Sequence, residues 1–533
     1  MSTQLLLGGR IYSPTSPDAT AMAVTDGTVV WTGMDAPGRA MHPDAEVIDL
    51  QGRFVAPAFV DSHVHCTAAG LALSGLDLAG TTSKAQCLEL VRAHATAHPD
   101  AVVWGHGWDE SRWSEQRPPS RAELDECVPG RQVYLSRVDV HSAWVSTPLV
   151  EQATGVRQAT GWSDEGPLSQ DAHHLVREAA RVRLTAAQRR AALHTFLDHA
   201  AAHGVAAVHE CGGAEIAGLE DFRATLTADH GVQVRGYWGE AVTDADQARD
   251  LLERTGAAGL AGDLFVDGSL GSHTAWLHEP YCDLPEAGTG AAYLQREEIA
   301  AHVRACTLAG TQAGFHVIGD AGMQAVVDAI GDVVAELGVP KVASRAHRLE
   351  HAEMMTPGQA EALGRWGVLA SVQPGFDALW GGSDGLYAQR LGPDRGARLN
   401  PYSAMASAGV ALSLGSDAPV TTLDPWRAVQ AAVHHRTPGS AISARAAFAA
   451  ATRGAWRAGG VRDGMAGTLT PGAPASYAVW DCDELVVAAP KDSVQRWSTD
   501  PRAGVAPLPR LDPDAALPEC VRTVHRGRTI YER

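Results

Sequence analysis

From residue 59 to residue 415 the chain alternates short apolar runs with helix-like stretches, and nothing else in it narrows the choice of fold as far. The eight runs fall at 59–65, 204–209, 232–238, 262–266, 311–316, 345–351, 367–373 and 409–415. Each is too short for a helix and apolar enough to be buried on both faces, as the strands of a parallel sheet are. Helical patterns lie between them: Thr185-Ala186-Ala187-Gln188 is a capping-box word, and Ile299, Val303 and Cys306 share one helix face. Strand–helix units repeated in this way predict an α/β fold, a (β/α)8 TIM-type barrel whose chemistry sits at the C-terminal ends of its strands.

The two ends of the chain read as β structure. Residues 5–7, then 22–25 and 28–31 flanking Asp26-Gly27, give a strand and a type I′ hairpin, and 476–480, 485–487, 521–524 and 529–531 are short strands near the other end. Neither set is large enough to fold alone. Residues 1–58 and 467–533 are therefore expected to build one small β-sandwich domain, with the barrel, 59–466, inserted between them. Residues 66 to about 180 exceed any ordinary connection and carry Trp104, Trp108, Trp113 and Trp144. They are expected to form an inserted subdomain after the first strand, its tryptophans either shaping a pocket or making its own core. Residues 377–400, rich in Gly, Asp and Arg, read as a further loop at the barrel mouth.

Composition excludes several kinds of partner. A net charge of -19 with no basic run argues against nucleic acid and against an anionic membrane surface. No segment has the length and hydropathy of a membrane span, and the first ten residues lack the basic start of a secretory signal. Eight cysteines without a C-x-x-C pair fit reduced thiols in a cytoplasm. The expected partner is a small-molecule substrate, and a symmetric homodimer is the default oligomer.

Chemistry-bearing residues stand at the predicted strand ends. His63 and His65 close the first run, two apart and so on one face; His316 ends the fifth run, His351 the sixth, and Asp417 follows the eighth. Singly, each has an ordinary reading as a hydrogen-bonded histidine or a helix-capping aspartate. Placed together at the mouth of one barrel, they predict a metal site. Four imidazoles and a carboxylate suit Zn2+, one or two per chain, or another divalent transition metal, better than Mg2+ or Ca2+, which take oxygen shells.

These positions, with the words Gly107-Trp108-Asp109, Asp139-Val140-His141-Ser142-Ala143-Trp144, Asp267-Gly268-Ser269, His316-Val317-Ile318-Gly319-Asp320, Arg348-Leu349-Glu350-His351 and Gly415-Ser416-Asp417-Ala418-Pro419, resemble the amidohydrolase superfamily. Within it they are similar to the "amidohydrolase 3" branch, which includes N-substituted formamide deformylase. The resemblance implies hydrolysis of a carbon–nitrogen bond other than a peptide bond, in an amide, formamide or cyclic amide, by a metal-activated water. On that reading Asp417 takes the proton of the water and passes it to the leaving nitrogen, while His351 either ligates the metal or polarises the carbonyl. Motif position puts Trp108, His141, Asp267 and His273 in the substrate pocket.

One position departs from the branch. Four residues before Asp267-Gly268-Ser269, where the branch carries a carboxylated lysine bridging two metals, this chain has Asp263. The three lysines, Lys84, Lys341 and Lys491, are all away from strand ends. Asp263, on one strand face with Phe265 and Asp267, is the candidate for a direct bridge, but an aspartate reaches less far than a carboxylated lysine, so a one-metal site is an equal expectation; Glu210 is a weaker candidate, and an arginine partner is the ordinary reading of either. Two other readings stay open: a zinc-dependent deaminase or lactonase on the same barrel, and a catalytically lapsed barrel serving as a binding or assembly module.

Overall fold

Seven parallel strands carry the centre of the protein. Phe59–Val64, Val205–Gly212 and Gln233–Trp238 form one set, and Gly314–Val317, Arg348–His351, Leu369–Val372 and Ala411–Leu414 form another, each paired in sequence order. The coordinates are a computed structural model that describes residues 2–99, 102–487 and 506–533; Lys491, and with it part of the expected C-terminal β region, lies outside them. Two joins link the sets. Val64 bridges Ala418 in parallel, and the segment 259–265 bridges Tyr237 on one side and Ala313 and His316 on the other. The parallel pairings thereby return to the strand they leave.

The run 262–266 is the one of the eight that forms no regular strand. Gly262 adopts φ +76 and backs so closely onto Cys211 that a Cβ at 262 would lie 3.0 Å from the Cys211 Cβ. The Leu264 N–H then turns back to the Gly262 carbonyl at 2.9 Å. This tight turn interrupts the ladder, which resumes where Leu264 accepts the His316 N–H and the Val266 N–H donates to His316, both at 3.0 Å; Asp263 and Phe265 line one cavity while Asp267 is fully buried.

Other local expectations are met. Thr185 and Gln188 form a reciprocal capping box at the start of the helix Ala186–Ala202. Ile299, Val303 and Cys306 are buried on the helix Arg296–Ala309. Asp26 and Gly27, at φ 47 and 76, make the turn between Ala21–Thr25 and Thr28–Gly33, the two positive φ values that a type I′ turn requires.

The chain ends supply two sheets. One has the order Thr28–Gly33, Ala21–Thr25, Thr3–Leu7, Glu46–Asp49; the other Arg10–Ile11, Phe54–Pro57, Tyr477–Asp481, Glu519–His525, Arg528–Glu532. Leu6, Met22 and Val24 of the first share an apolar cluster with Val55, Tyr477, Val479 and Val524 of the second. Trp480 points the other way, meeting Phe59 edge-on at 5.8 Å and Trp426 at 5.6 Å between ring centroids. It pins the terminal sheet to the first parallel strand.

After that strand comes a separate five-stranded sheet, Leu76–Asp77, Val103–Trp108, Val133–Arg137, Ser142–Val145 and Leu168–Ser169, with two apolar clusters of its own. Residues 377–400 are not a loop but short helices, among them Leu386–Leu391 and Pro393–Gly396, because Trp380, Leu386, Tyr387 and Leu391 pack together with Phe376. No helix among the described residues is long and apolar enough to cross a membrane.

Candidate metal centre

His63 and His65 send their Nε2 atoms toward the same two carboxylates. His63 Nε2 is 3.4 Å from Asp263 Oδ1 and 3.4 Å from Asp417 Oδ1; His65 Nε2 is 3.1 Å from Asp263 Oδ2 and 3.3 Å from Asp417 Oδ1. His316 Nδ1 approaches Asp263 Oδ1 at 3.5 Å, and the His351 ring lies 4.4 Å from that of His316 and 5.1 Å from that of His63. The triads His63–His65–Asp263, His63–His351–Asp417 and Asp263–His316–His351 each bring their ligand atoms within 4.8 Å of one another. Asp417 and His351 hold left-handed backbone conformations, φ 55 and 67, which cost a non-glycine residue free energy and redirect its side chain. The Asp417 N–H donates to the His63 carbonyl at 2.8 Å, fixing the eighth run's end to the first.

The donor set fits a divalent transition metal. His63 Nε2, Asp263 Oδ1, His316 Nδ1 and Asp417 Oδ1 are buried without a hydrogen-bond partner. Buried polar atoms in this condition are rare and expensive, and one cation chemistry, nitrogen with carboxylate, satisfies all four. Burial opposes charge throughout, yet at Asp263 the neighbouring His63, His316 and His65 outweigh it and hold the carboxyl well below its usual range. At His65, the neighbouring carboxylates of Asp263 and Asp417 overcome burial and bring the imidazole to about 10. His351 goes the other way: burial, then His316 and His63, push it well below the ordinary imidazole value, so it is a neutral nitrogen donor.

A further layer orients the ligands. His63 Nδ1 lies 2.9 Å from Glu350 Oε2, and Arg348 grips the same carboxylate while donating to the Ser62 carbonyl at 2.7 Å. Burial would raise the Glu350 pKa, but Arg348 and His63 bring it down to about 2. A carboxylate on one imidazole nitrogen fixes the ring so that the other faces the centre. Gln373 Oε1, 2.8 Å from His351 Nδ1, does the same for His351. Asp61 Oδ1 accepts the backbone N–H of His63 at 3.1 Å and of Ser416 at 2.9 Å, tying together the segments that carry His65 and Asp417.

Two cavities meet here. One, of about 970 Å³ with its open mouth included, runs from His65, Asp263, His316 and Asp417 past Trp104 and Phe265. The other, of about 380 Å³, runs from His316, His351 and Asp417 to Phe376, Trp380 and Tyr387. His141 lines both.

The model of the amidohydrolase family matches residues 46–531. The chain belongs to the amidohydrolase family. Protein LONG AFTER FAR-RED 3 of Arabidopsis thaliana is 29% identical over 521 residues, covering 90% of this chain and 88% of the relative. N-substituted formamide deformylase of Arthrobacter pascens is 25% identical over 522 residues, covering 88% and 91%. Among solved structures, an uncharacterized metal-dependent hydrolase from Pyrococcus horikoshii OT3 superimposes with a TM-score of 0.70 at 25% identity, over 90% of this chain and 98% of that one. Family and neighbours together make the protein a hydrolase with a TIM-barrel-type fold.

Set against this amidohydrolase centre, the expected ligands His63, His65, His316, His351 and Asp417 converge, and Asp263 reaches them despite its short side chain. Of the four expected pocket residues, His141 alone lines either cavity. Trp108 is buried in the core of the inserted sheet, its indole N–H donating to the Leu135 carbonyl at 2.8 Å. Asp267 is fully buried, raised to about 6 by that burial, and accepts the N–H groups of Ile318, Gly319 and Trp276 at 3.0, 2.7 and 2.9 Å. His273 turns to Asp283 at 3.1 Å. Glu210 accepts the Cys66 N–H at 2.7 Å at the start of the helix Cys66–Ser74 instead of joining the ligands. Sequence reasoning missed Gln373, although it ends the seventh run just as His351 ends the sixth.

Proposed function

We propose that this amidohydrolase cleaves a carbon–nitrogen bond other than a peptide bond, in an amide, formamide or cyclic amide, with zinc as its metal. The reading is carried by the convergence of two aspartates and four histidines where two cavities meet. Asp263 belongs to two of the ligand triads and turns one oxygen toward His63 and His316 and the other toward His65, so it would help hold the metal with either set of histidines. Zinc held by these residues supplies a Lewis acid for the carbonyl and an activated water.

The chain's own groups do the rest. Asp417 directs Oδ1 at both His63 and His65 and borders both cavities, so its carboxylate stands where substrate and ligands meet. It accepts the proton of the attacking water and delivers it to the leaving nitrogen, which departs as an amine only when protonated. His141, with its ring 5.2 Å from that of His316, faces the same junction and orients the carbonyl. The formamide-cleaving relative from Arthrobacter pascens supports a formamide among the substrates.

The test is amine release from N-substituted formamides, linear amides and cyclic amides, with metal content measured in parallel. Zinc-dependent release is expected, and Asp417→Asn should keep its zinc while kcat falls about 10²- to 10⁴-fold. Release of ammonia from amino-substituted rings, or of acid from lactones, with amides untouched would replace this reading by the deaminase or lactonase one. Supporting the wider architecture, the ring of parallel pairings and the cluster shared by the two terminal sheets favour a (β/α)8 barrel over 59–466 with a companion β-sandwich from 1–58 and 467–533. All eight cysteines are free, which supports a reducing compartment such as the cytoplasm.

A further inference from the structure

In a chain of net charge -19, three arginines line the wider cavity: Arg177, Arg181 and Arg189. Arg177 and Arg181 sit four residues apart on the helix Gln170–Arg181 and so project from one face. The same cavity reaches the metal ligands, and the wall between is mainly apolar, with Leu71, Trp104, Phe265 and Ile216 beside the polar His141 and His174.

The three cations differ in how their charge is answered. Arg189 has Asp221, a buried carboxylate of the cavity wall, at 3.6 Å, and Glu220 at 3.3 Å. Arg181 pairs with Glu178 on the outer flank of its own helix, and its Nη1 is buried with no hydrogen-bond partner. Arg177 donates through Nη2 to the Glu215 carbonyl at 2.7 Å; its Nε is buried without a partner, and among the described residues no carboxylate stands within ion-pair distance of it. Burial, and after it the neighbouring Arg177, brings Arg181 down to about 10, with Asp221 opposing the fall. Helix packing alone gives no reason to keep buried guanidinium N–H groups unpaired, since each costs free energy that an acceptor would recover.

We propose that Arg177 and Arg181 bind a carboxylate of the substrate, so that the enzyme acts on acid-bearing amides in which an apolar segment separates the carboxylate from the bond that is cut. The inference rests on the hydrolase reading above for the cut and on the arginine pair for the acid. A singly charged carboxylate suits the pair better than a phosphate, because Glu178, Glu220 and Asp221 already offset part of the positive charge nearby.

The experiment has a binding arm and a turnover arm. Calorimetry on the zinc-loaded protein compares 4-phenylbutyrate with uncharged, non-hydrolysable 4-phenylbutan-1-ol, in the wild type and in Arg177→Gln, Arg181→Gln and Arg177→Lys. The wild type should prefer the acid, and each Gln substitution should reduce that preference about tenfold or more, with Arg177→Lys in between. A carboxylate bound on the metal instead would keep its affinity in all three variants, and that result overturns the proposal. For turnover, matched formamides with and without a remote carboxylate are compared by kcat/KM, and the ratio should fall at least tenfold in Arg177→Gln. Hydrolysis of neutral formamides with no advantage for the acid would remove the anion site and leave the hydrolase. Arginine-dependent binding of 4-phenylbutyrate with no amide turned over would remove the hydrolase reading and leave the anion site.

Discussion

Glu350 lines neither cavity at the ligand cluster, yet it decides how His63 presents itself. Its carboxylate is shared between the His63 ring and the buried Arg348, so removing its charge frees the imidazole to rotate and leaves Arg348 with half its partners. Glu350→Gln should weaken metal binding about 10- to 100-fold, read by competition with a chelator of known affinity. Unchanged affinity would mean that strand geometry alone orients His63. The histidine ligands and Asp417 were legible in the sequence because each stands at or just past the end of an apolar run, where a barrel gathers side chains, whereas Asp263 was found only by its distance from Asp267-Gly268-Ser269. Trp108, Asp267 and His273 were not, because motif position gives no sign of which partner claims a side chain. A backbone carbonyl, three amide N–H groups and Asp283 claim them respectively.

At the scale of the element, the segment 259–266 shows where periodicity fails. All eight runs read as strands from apolarity and length; in this one a left-handed glycine, pressed against Cys211, breaks the ladder into isolated bridges beside Asp263. Gly262→Ala meets both the unfavourable φ and the 3.0 Å contact, and should destabilise the fold by about 1 kcal/mol or more in urea titrations while lowering zinc stoichiometry. Full stability with full zinc would show that Asp263 does not depend on this turn. The inserted sheet shows a second element-scale effect. Asp139 is buried, which raises its pKa, but Arg137 at 3.0 Å and hydrogen bonds from Ser272 and Ser269 bring it to about 2 from 3.8. A carboxyl depressed in the folded state binds protons more tightly in the unfolded chain, so its stabilisation is complete above the unfolded value and is lost as pH falls toward the folded one. Between about pH 4 and pH 2 the melting temperature of Asp139→Asn should therefore fall less steeply than that of the wild type. Parallel slopes would remove Asp139 from acid stability.

On the scale of the whole molecule, the far ends of the chain and the first parallel strand meet in one apolar cluster that holds Tyr12, Phe54, Phe59, Ala478 and Trp480. Trp480 lies on a strand that pairs with Phe54–Pro57, immediately before Phe59, and its ring fills the space beside Phe59, Trp426 and Gly204. Trp480→Ala should cost about 3–5 kcal/mol in denaturant unfolding. A cost below about 1 kcal/mol would mean that the terminal sheets and the parallel strands are energetically separate. That contact joins residues more than 400 apart, which explains why pairing of the ends was readable from their β pattern while the tryptophan that anchors them was not. The two cavities joined at the ligand cluster give the molecule one more property. With Phe376, Trp380 and Tyr387 walling one side and Trp104 and Phe265 the other, the centre stands between two unlike arms. Whatever spans both arms presents a different face to each wall, so its two halves are read by different side chains.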